Sequence, residues 1–369
     1  MWWKILLALL ALFIFVTLIR AIFYKPKKFE GVKIKDADID VDKVAEHLSK
    51  AIQCKTISRS NPDEIDWSEF EKFHAFLDEA YPLIKQNTVK ENVSKASLIY
   101  RWKGKNPDLE PMALLSHQDV VPVAEGTEDD WTHEAFSGYN DGEIIWGRGA
   151  LDMKNHLICV MEAVESLMEE GFQPERDVYL CFGHNEEIVC SKESGADEIV
   201  KVLRSRGIHL DSVLDEGSAL LRLDVKGLIH TYIAAVGVAE KGYADMKLTV
   251  HDKGGHTSAA PKHSGMAKLA NTIKDVERHQ FKSHMLPFLT ELFDTVGRKA
   301  TYLGRVVMCN VWLLKPIIKL VLKVIPESAS MVITIQSISM CEGSPEPNVL
   351  PQRPSITVNF RPLPGDTVD

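Results

Sequence analysis

The segment LLSHQDVVPV, residues 114–123, ends an apolar run with His117 and Asp119. In an extended strand, residues two apart face the same side, so the imidazole and the carboxylate project together from the strand end. A neutral imidazole is a good ligand for a divalent cation, and a companion carboxylate can hold the ring in its binding tautomer. Alone, the pair also suits a surface histidine beside a solvated aspartate. Three further segments carry related chemistry. WGRGALDMKNH, residues 146–156, places Asp152 just before a helical pattern, with Gly147 and Gly149 allowing close backbone approach. Its carboxylate can join two cations or cap the helix. CFGHNEEIV, residues 181–189, sets Glu186 and Glu187 directly after an apolar run. One of them can bind a cation while the other takes a proton from water and returns it; the bland alternative is an acidic helix start. SVLDEGSAL, residues 212–220, ends another apolar run in Asp215. Glu216 ranks behind it as a ligand because Asp215 sits nearer the strand end. Together, four acidic or imidazole termini on an apolar sheet call for cations or water to offset their charge.

The elements that must position these groups follow from periodicity. DVDKVAEHLSKAI and DWSEFEKFHAFLDEAYPLI have helical spacing, whereas SLIYRWKG, PMALLSHQDV and DVYLCFG read as strands. NHLICVMEAVESLMEEG is a strong helix with Asn155 near its start and Gly171 just past its end, and GADEIVKVLRSRG is another. Strands alternate with helices and the polar motifs sit at strand ends, which predicts an α/β sheet with its site at the carboxyl edge. Near residue 240 the texture changes. YADMKLTVHDK, SMVITIQSIS and PSITVNFRPLP are strand-like, and GGHTSAAPKHSG is a glycine-rich turn entering the helix MAKLANTIKDVERH. This part reads as a second, smaller α/β layer. Within it, VWLLKPIIKLVLKVI, residues 311–325, carries Lys315, Lys319 and Lys323 along one side of an otherwise apolar helix, with Pro316 expected in its first turn. It suits a lid helix packed on its apolar side; the sharper reading is a surface touching lipid or greasy substrates.

Composition narrows the classes. The 369 residues are 45% hydrophobic and 26% charged, enough for a substantial core and more than one domain. The formal net charge of −9, without a basic tract beyond the N-terminal region, argues against nucleic acid as a partner. The uncharged run ILLALLALFIFVTLI, residues 5–19, is flanked by Trp2, Trp3, Phe23 and Tyr24 and bracketed by Lys4, Arg20, Lys25, Lys27 and Lys28. Residues 1–24 therefore read as a single membrane anchor, or else a signal peptide, and 25–40 as a charged link. The basic flank after the helix favours a cytosolic chain. Asn92, in the sequon NVS, is a glycosylation acceptor if the chain is lumenal or extracellular. The six cysteines, at 54, 159, 181, 190, 309 and 341, form neither a CxxC pattern nor a dense disulfide framework.

Taken in order, SHQDVVPV, DDWTHEAFSG, WGRGALDMKN, FGHNEEIV, LDEG, GGHTSAAP, NVLPQ and VNFRPLPGDT resemble the M20 family of metallopeptidases and amidohydrolases, in its carboxypeptidase S and PM20D1-like branch. The likeness runs from about residue 45 to 369. It implies a mixed-sheet zinc-peptidase catalytic domain (residues 41–240) interrupted by a smaller α/β lid domain (241–369). His117, Asp152 and Asp215 match the ligands of one zinc ion; Asp152 and Glu187 match those of a second, with Asp152 bridging. Glu186 matches the general base and acid, Asp119 the residue that orients His117, and His256 a lid histidine that stabilises an oxyanion. Arg361 matches a lid position suited to an anionic substrate end. The implied reaction is hydrolysis of a peptide or N-acyl amino acid amide bond, or reversible synthesis and hydrolysis of N-fatty-acyl amino acids. Independently of the resemblance, the N-terminal apolar segment and the Asn92 sequon lead to the expectation of a membrane-anchored or secretory protein with its catalytic part lumenal or extracellular, against the basic flank; the oligomeric state is open. The chain departs from the family at Asn185, where Asp is usual, and at Ala135, where Pro is usual. It also stops at RPLPGDTVD, before the family's return to the catalytic domain with its late histidine. The expectation is a C-terminally incomplete member, with an inactive membrane-anchored interaction protein as the alternative.

Overall fold

The computed structural model describes residues 2–26, 39–188, 194–217 and 219–367. The chain forms two compact units, one of Lys33–Glu216 and the other of Met1–Val32 with Gly217–Asp369. The two units meet in sequence between Glu216 and Gly217, and the N-terminal helix α1 (Trp2–Phe23) groups with the second unit. Cys190 lies outside the described residues, as does most of the 25–40 link; Cys54, Cys159, Cys181, Cys309 and Cys341 are free thiols.

The Lys33–Glu216 unit opens with α2 (Val41–Ile52), whose first turn is capped by the Asp40 side chain, and α3 (Trp67–Ala80), capped by Asp66. Pro82 ends that helical run at Tyr81 and begins the short α4 (Pro82–Asn87). Buried Glu165 satisfies the start of α4, accepting from the Leu83 and Ile84 amides at 2.8 Å each. There follow β1 (Thr88–Val93), β2 (Ser97–Trp102), β3 (Met112–His117), the small hairpin β4 (Tyr139–Asn140) and β5 (Ile145–Trp146), and α5 (Lys154–Glu169). The unit closes with β6 (Val178–Gly183), α6 (Gly195–Ser205) and β7 (Ser212–Leu214). Five strands form a mixed sheet in the order β1-β2-β6-β3-β7. β1 and β2 pair antiparallel, as do β2 and β6, whereas β3 lies parallel to both β6 and β7.

The register decides where the chemistry sits. His117 pairs with Gly183 and Leu114 with Leu214, so the carboxyl ends of β3, β6 and β7 emerge on one edge. One sheet face is buried by α2, α3 and α5: Phe73, Leu77, Leu98, Tyr100, Leu157, Leu180 and Phe182 share this core. The other face packs Ile99, Ala113, Tyr179 and Cys181 against Ile199 and Leu203 of α6. Burial on both faces explains the near-continuous apolar run of β6. Lys154 is a fully buried cationic side chain at this core. Its ammonium donates to the carbonyls of Ala51 (2.8 Å) and Cys54 (2.6 Å) and lies 5.0 Å from the Phe73 ring centroid. Burial pushes its pKa down to about 8.

The second unit contains the antiparallel hairpin of β8 (Ala219–Val225) and β9 (Ile229–Ala235), then β10 (Ala244–Thr249), β11 (Gly255–His256) and α7 (Gly265–Arg278). Helices α8 (Pro287–Gly297), α9 (Tyr302–Met308), α10 (Val311–Val324) and α11 (Pro326–Ala329) come next, followed by β12 (Ile335–Glu342), β13 (Val349–Leu350) and β14 (Ser355–Arg361). β10, β14 and β12 form an antiparallel sheet with β14 in the middle. Leu269 of α7 packs on it against Ile356 and Val358. Pro316 sits inside α10, not in its first turn, because the helix starts at Val311 behind Asn310.

Candidate metal centre

His117 ends β3 fully enclosed, as do Gln118 and Asp119 after it. Three consecutive buried polar side chains are costly unless each finds partners, and each does. Gln118 donates to the carbonyls of Ala96 and Phe182, both at 2.9 Å, and its Oε1 meets His74 Nε2 at 2.7 Å. Asp119, 0% exposed, accepts from Ser58 Oγ at 2.6 Å and from the amides of Glu186 (3.1 Å) and Glu187 (3.2 Å). His117 Nδ1 lies 2.9 Å from the Asp119 carbonyl oxygen and 3.3 Å from its carboxylate. That contact leaves Nε2 facing outward. Burial alone would raise the Asp119 pKa, but the bonds from His117 and Ser58 and the backbone donor hold it below the usual carboxylate range.

Around His117 Nε2 the acids gather. Asp152 Oδ1 is 3.0 Å away, Glu186 Oε2 3.8 Å and Glu216 Oε2 3.9 Å. His117, Asp152 and Glu216 each offer one ligand atom within 4.8 Å of the others. Asp152 is not spent on capping α5, whose N-cap is Met153 with no side-chain hydrogen bond. The approach of this loop depends on Gly149: its φ is +81°, and a Cβ there would stand 2.6 Å from Val120 Cγ1.

The electrostatics describe a site crowded with negative charge. For His117, burial lowers the pKa, but Asp119, Glu216 and Glu186 outweigh it and raise it to about 9. Glu216 is pushed up to about 7 by burial and by the charges of Asp152, Glu186 and Asp215, against the pull of His117. Glu187 is raised by burial and by the charge of Asp152. Burial first, and then mutual repulsion, disfavours the ionised form of these acids, and a divalent cation among them would favour it. The donor set of one imidazole nitrogen and carboxylate oxygens suits a borderline cation such as zinc. The residues present therefore fit a metal ion.

The structure brings together His117, Asp119, Asp152, Glu186 and Glu187 as residues of one sheet edge, and it adds Glu216. Asp215 falls outside the three-residue group: its carboxylate accepts from the Glu216 amide at 2.9 Å, and the longer Glu216 side chain reaches His117 instead. Strand alternation held the signal, since Leu214 pairs with Leu114 and Glu216 is two residues beyond it. Ser58 and Gln118 gave none, for neither carries charge or metal-binding character. His256 and Arg361 belong to the second unit. His256 is exposed on β11 with Nδ1 2.9 Å from Ser258 Oγ, and Arg361, ending β14, stacks 4.5 Å from the Tyr243 ring centroid. Asn92 is exposed on edge strand β1.

A doubly covered mixed sheet thus carries a metal-competent carboxyl edge. The model of peptidase family M20/M25/M40 matches residues 113–310, and the chain belongs to that family. It is 37% identical over 329 residues to a probable carboxypeptidase S-like 2 of Dictyostelium discoideum, covering 88% of this chain and 62% of that protein. It is 31% identical over 340 residues to an N-fatty-acyl-amino acid synthase/hydrolase of Xenopus tropicalis, covering 90% and 64%. The chain thus spans less than two thirds of these relatives' length. In fold it is similar to an M20 family metallo-carboxypeptidase of Sulfolobus solfataricus, with a TM-score of 0.56 at 19% identity over 89% of this chain and 72% of that one.

Proposed function

We propose that this protein hydrolyses the amide bond of a peptide or an N-acyl amino acid, with His117, Asp152 and Glu216 holding a zinc ion and Glu187 joining Asp152 at a second. The observation that carries the reading is the Glu186 carboxylate 3.8 Å from the same imidazole nitrogen that Asp152 and Glu216 approach. A bound zinc pair would supply Lewis acidity to the amide carbonyl and lower the proton affinity of water. Asp119 keeps His117 Nε2 facing the donors and, through the Glu186 and Glu187 amides, fixes the turn that carries both acids. Glu186, more exposed than its neighbour, takes the proton of the attacking water and delivers it to the leaving amine. Asp215 stiffens the turn by accepting the Glu216 amide. His256 is assigned as a donor to the developing oxyanion and Arg361 as partner to the substrate carboxylate, both from the family pattern.

The relatives point to two substrate classes, carboxypeptidase substrates and N-fatty-acyl amino acids. The second class is favoured by the apolar exposed surface of α10, which suits a greasy environment. The proposed location is a single-pass anchor with the catalytic unit lumenal or extracellular, where exposed Asn92 is open to glycosylation. The test pairs zinc titration with hydrolysis of a dipeptide and of an N-oleoyl amino acid. Glu186→Gln is expected to keep its zinc and lose turnover. Unchanged turnover in that variant removes the assigned base, and no zinc uptake by the unaltered chain removes the metal reading. A large preference for the dipeptide rejects the lipid substrate.

A further inference from the structure

Helix α10 has three faces. Leu314, Ile318 and Leu322, four residues apart, are half-buried, and Leu322 packs against the cluster of Leu289, Val332 and Ile333. Lys315, Lys319 and Lys323 form a second stripe, with no acidic residue anywhere in the helix. The third face is apolar and open to solvent: Ile317 is 60% exposed, Leu320 66% and Val324 76%. Their i, i+3, i+7 spacing puts all three on one side. A solvent-facing apolar stripe beside a lysine stripe is the pattern of a helix lying in a membrane surface.

What covers this face is indicated by its neighbour. α1 is 22 residues of high hydropathy with only Ala21 buried, and at roughly 1.5 Å per residue it is long enough to cross a hydrocarbon layer. Its carboxyl-terminal half does not leave the second unit. Tyr302 donates to the Leu18 carbonyl at 3.2 Å, and Asn310 to that of Thr17 at 3.3 Å. The rings of Phe13 and Trp312 meet edge to face at 6.2 Å. Tyr24 donates to the Asp294 carboxylate at 3.0 Å, and its ring lies 4.6 Å from the Arg298 guanidinium. The start of α10 thus abuts the membrane-competent helix through Trp312, which shares the lysine side of α10, and the open apolar face runs on from that end.

We infer that α10 is seated in the lipid surface beside α1, so that the second unit is embedded in an anionic bilayer face and not merely tethered to it. The apolar face enters the acyl boundary while the exposed Lys315 and Lys323 reach the headgroups, as amphipathic side chains do; Lys319 is half-buried and donates to the Ser283 carbonyl at 3.2 Å. Each lysine is expected to strengthen the attraction to anionic lipid roughly fivefold. The inference uses no residue of the metal centre; it shares with the proposed function only the α10 surface that favours the fatty-acyl substrate class.

The full chain is mixed with vesicles of phosphatidylcholine, with and without phosphatidylserine, carrying brominated acyl chains. Tryptophan emission is compared between the unaltered chain, Trp312→Phe, and Leu320→Trp in the Trp312→Phe background. The expected result is that the emission due to residue 312 and that due to residue 320 are both quenched by shallow bromines, more strongly with phosphatidylserine and less at high salt. Ile317→Gln with Val324→Gln, both at exposed positions, is expected to abolish the quenching at residue 320 while the chain still floats with the vesicles through α1. A chain that floats with an unquenched residue 320 overturns the inference, because α1 is then only a tether. A chain that does not float overturns it too. So does cross-linking of two copies through α10 without quenching, which makes a second copy the occupant of the face.

Discussion

The two units handle polar and apolar side chains in opposite ways. In Lys33–Glu216 the polar groups that matter are enclosed and interlocked, with His117, Gln118 and Asp119 buried among named partners at the end of a doubly covered sheet. In the second unit the candidate polar residues, His256 and Arg361, are exposed, and so are large apolar side chains of α1 and α10. The comparison teaches where each unit's organisation comes from. The first carries its electrostatic arrangement within itself, so its geometry is fixed before any substrate arrives. The second leaves large apolar side chains of α1 and α10 exposed, outside its own buried clusters.

That contrast can be broken or sharpened by measurement. The largest effect is expected from Glu186→Gln, with turnover falling about 10²–10⁴-fold while zinc affinity holds; steady-state hydrolysis and metal competition on one preparation decide it. Next is Leu157→Ala in the doubly covered core, which is expected to lower the unfolding free energy by about 2–5 kcal/mol; denaturant titration reads it. Asp119→Asn is expected to weaken zinc binding about 10–100-fold, because the replaced group orients His117 and holds the Glu186–Glu187 turn. An affinity equal to that of the unaltered chain would show that the enclosed network is not what prepares the site.

Lys154 offers a pH test of the same enclosure. Its folded-state pKa, about 8, lies below the ordinary lysine value of about 10.4. Between those values the unfolded chain binds more protons than the native one, so this group makes unfolding free energy rise with pH across that window and leaves it flat below. Subtracting the pH series of Lys154→Met from that of the unaltered chain should leave this slope; a difference that falls with pH contradicts it. The smallest effect is expected from Leu303→Ala, an exposed position of the second unit, within about 0.5 kcal/mol. A loss comparable to that of Leu157→Ala would erase the distinction between the units.

Legibility in the sequence followed the same division. His117 and Asp119 were readable because strand alternation and a polar stop after an apolar run need only local information. Asp152, Glu186 and Glu187 were readable as chain breaks at strand and helix ends. Proximity to the strand end ranks Asp215 ahead of Glu216, but side-chain reach favours Glu216, and the Asp215 carboxylate is engaged by the adjacent amide. Ser58 was invisible because its contact with Asp119 joins segments 61 residues apart. Proline chemistry places Pro316 at a helix start, whereas α10 runs through it, with Leu322 packed against Leu289, Val332 and Ile333. In the second unit the apolar pattern of 311–325 was plain, while its partnership with α1, nearly 300 residues earlier in sequence, was not.

The Asp119 carboxylate has a consequence for how this protein tolerates change. It is a shared anchor for the segment at Ser58, the imidazole at 117 and the turn at 186–187. Any substitution that shifts one of these three segments alters the hydrogen bonding of the other two, so variation there acts in concert. Engineering new specificity is better begun away from this anchor, where one side chain can be exchanged without disturbing two others.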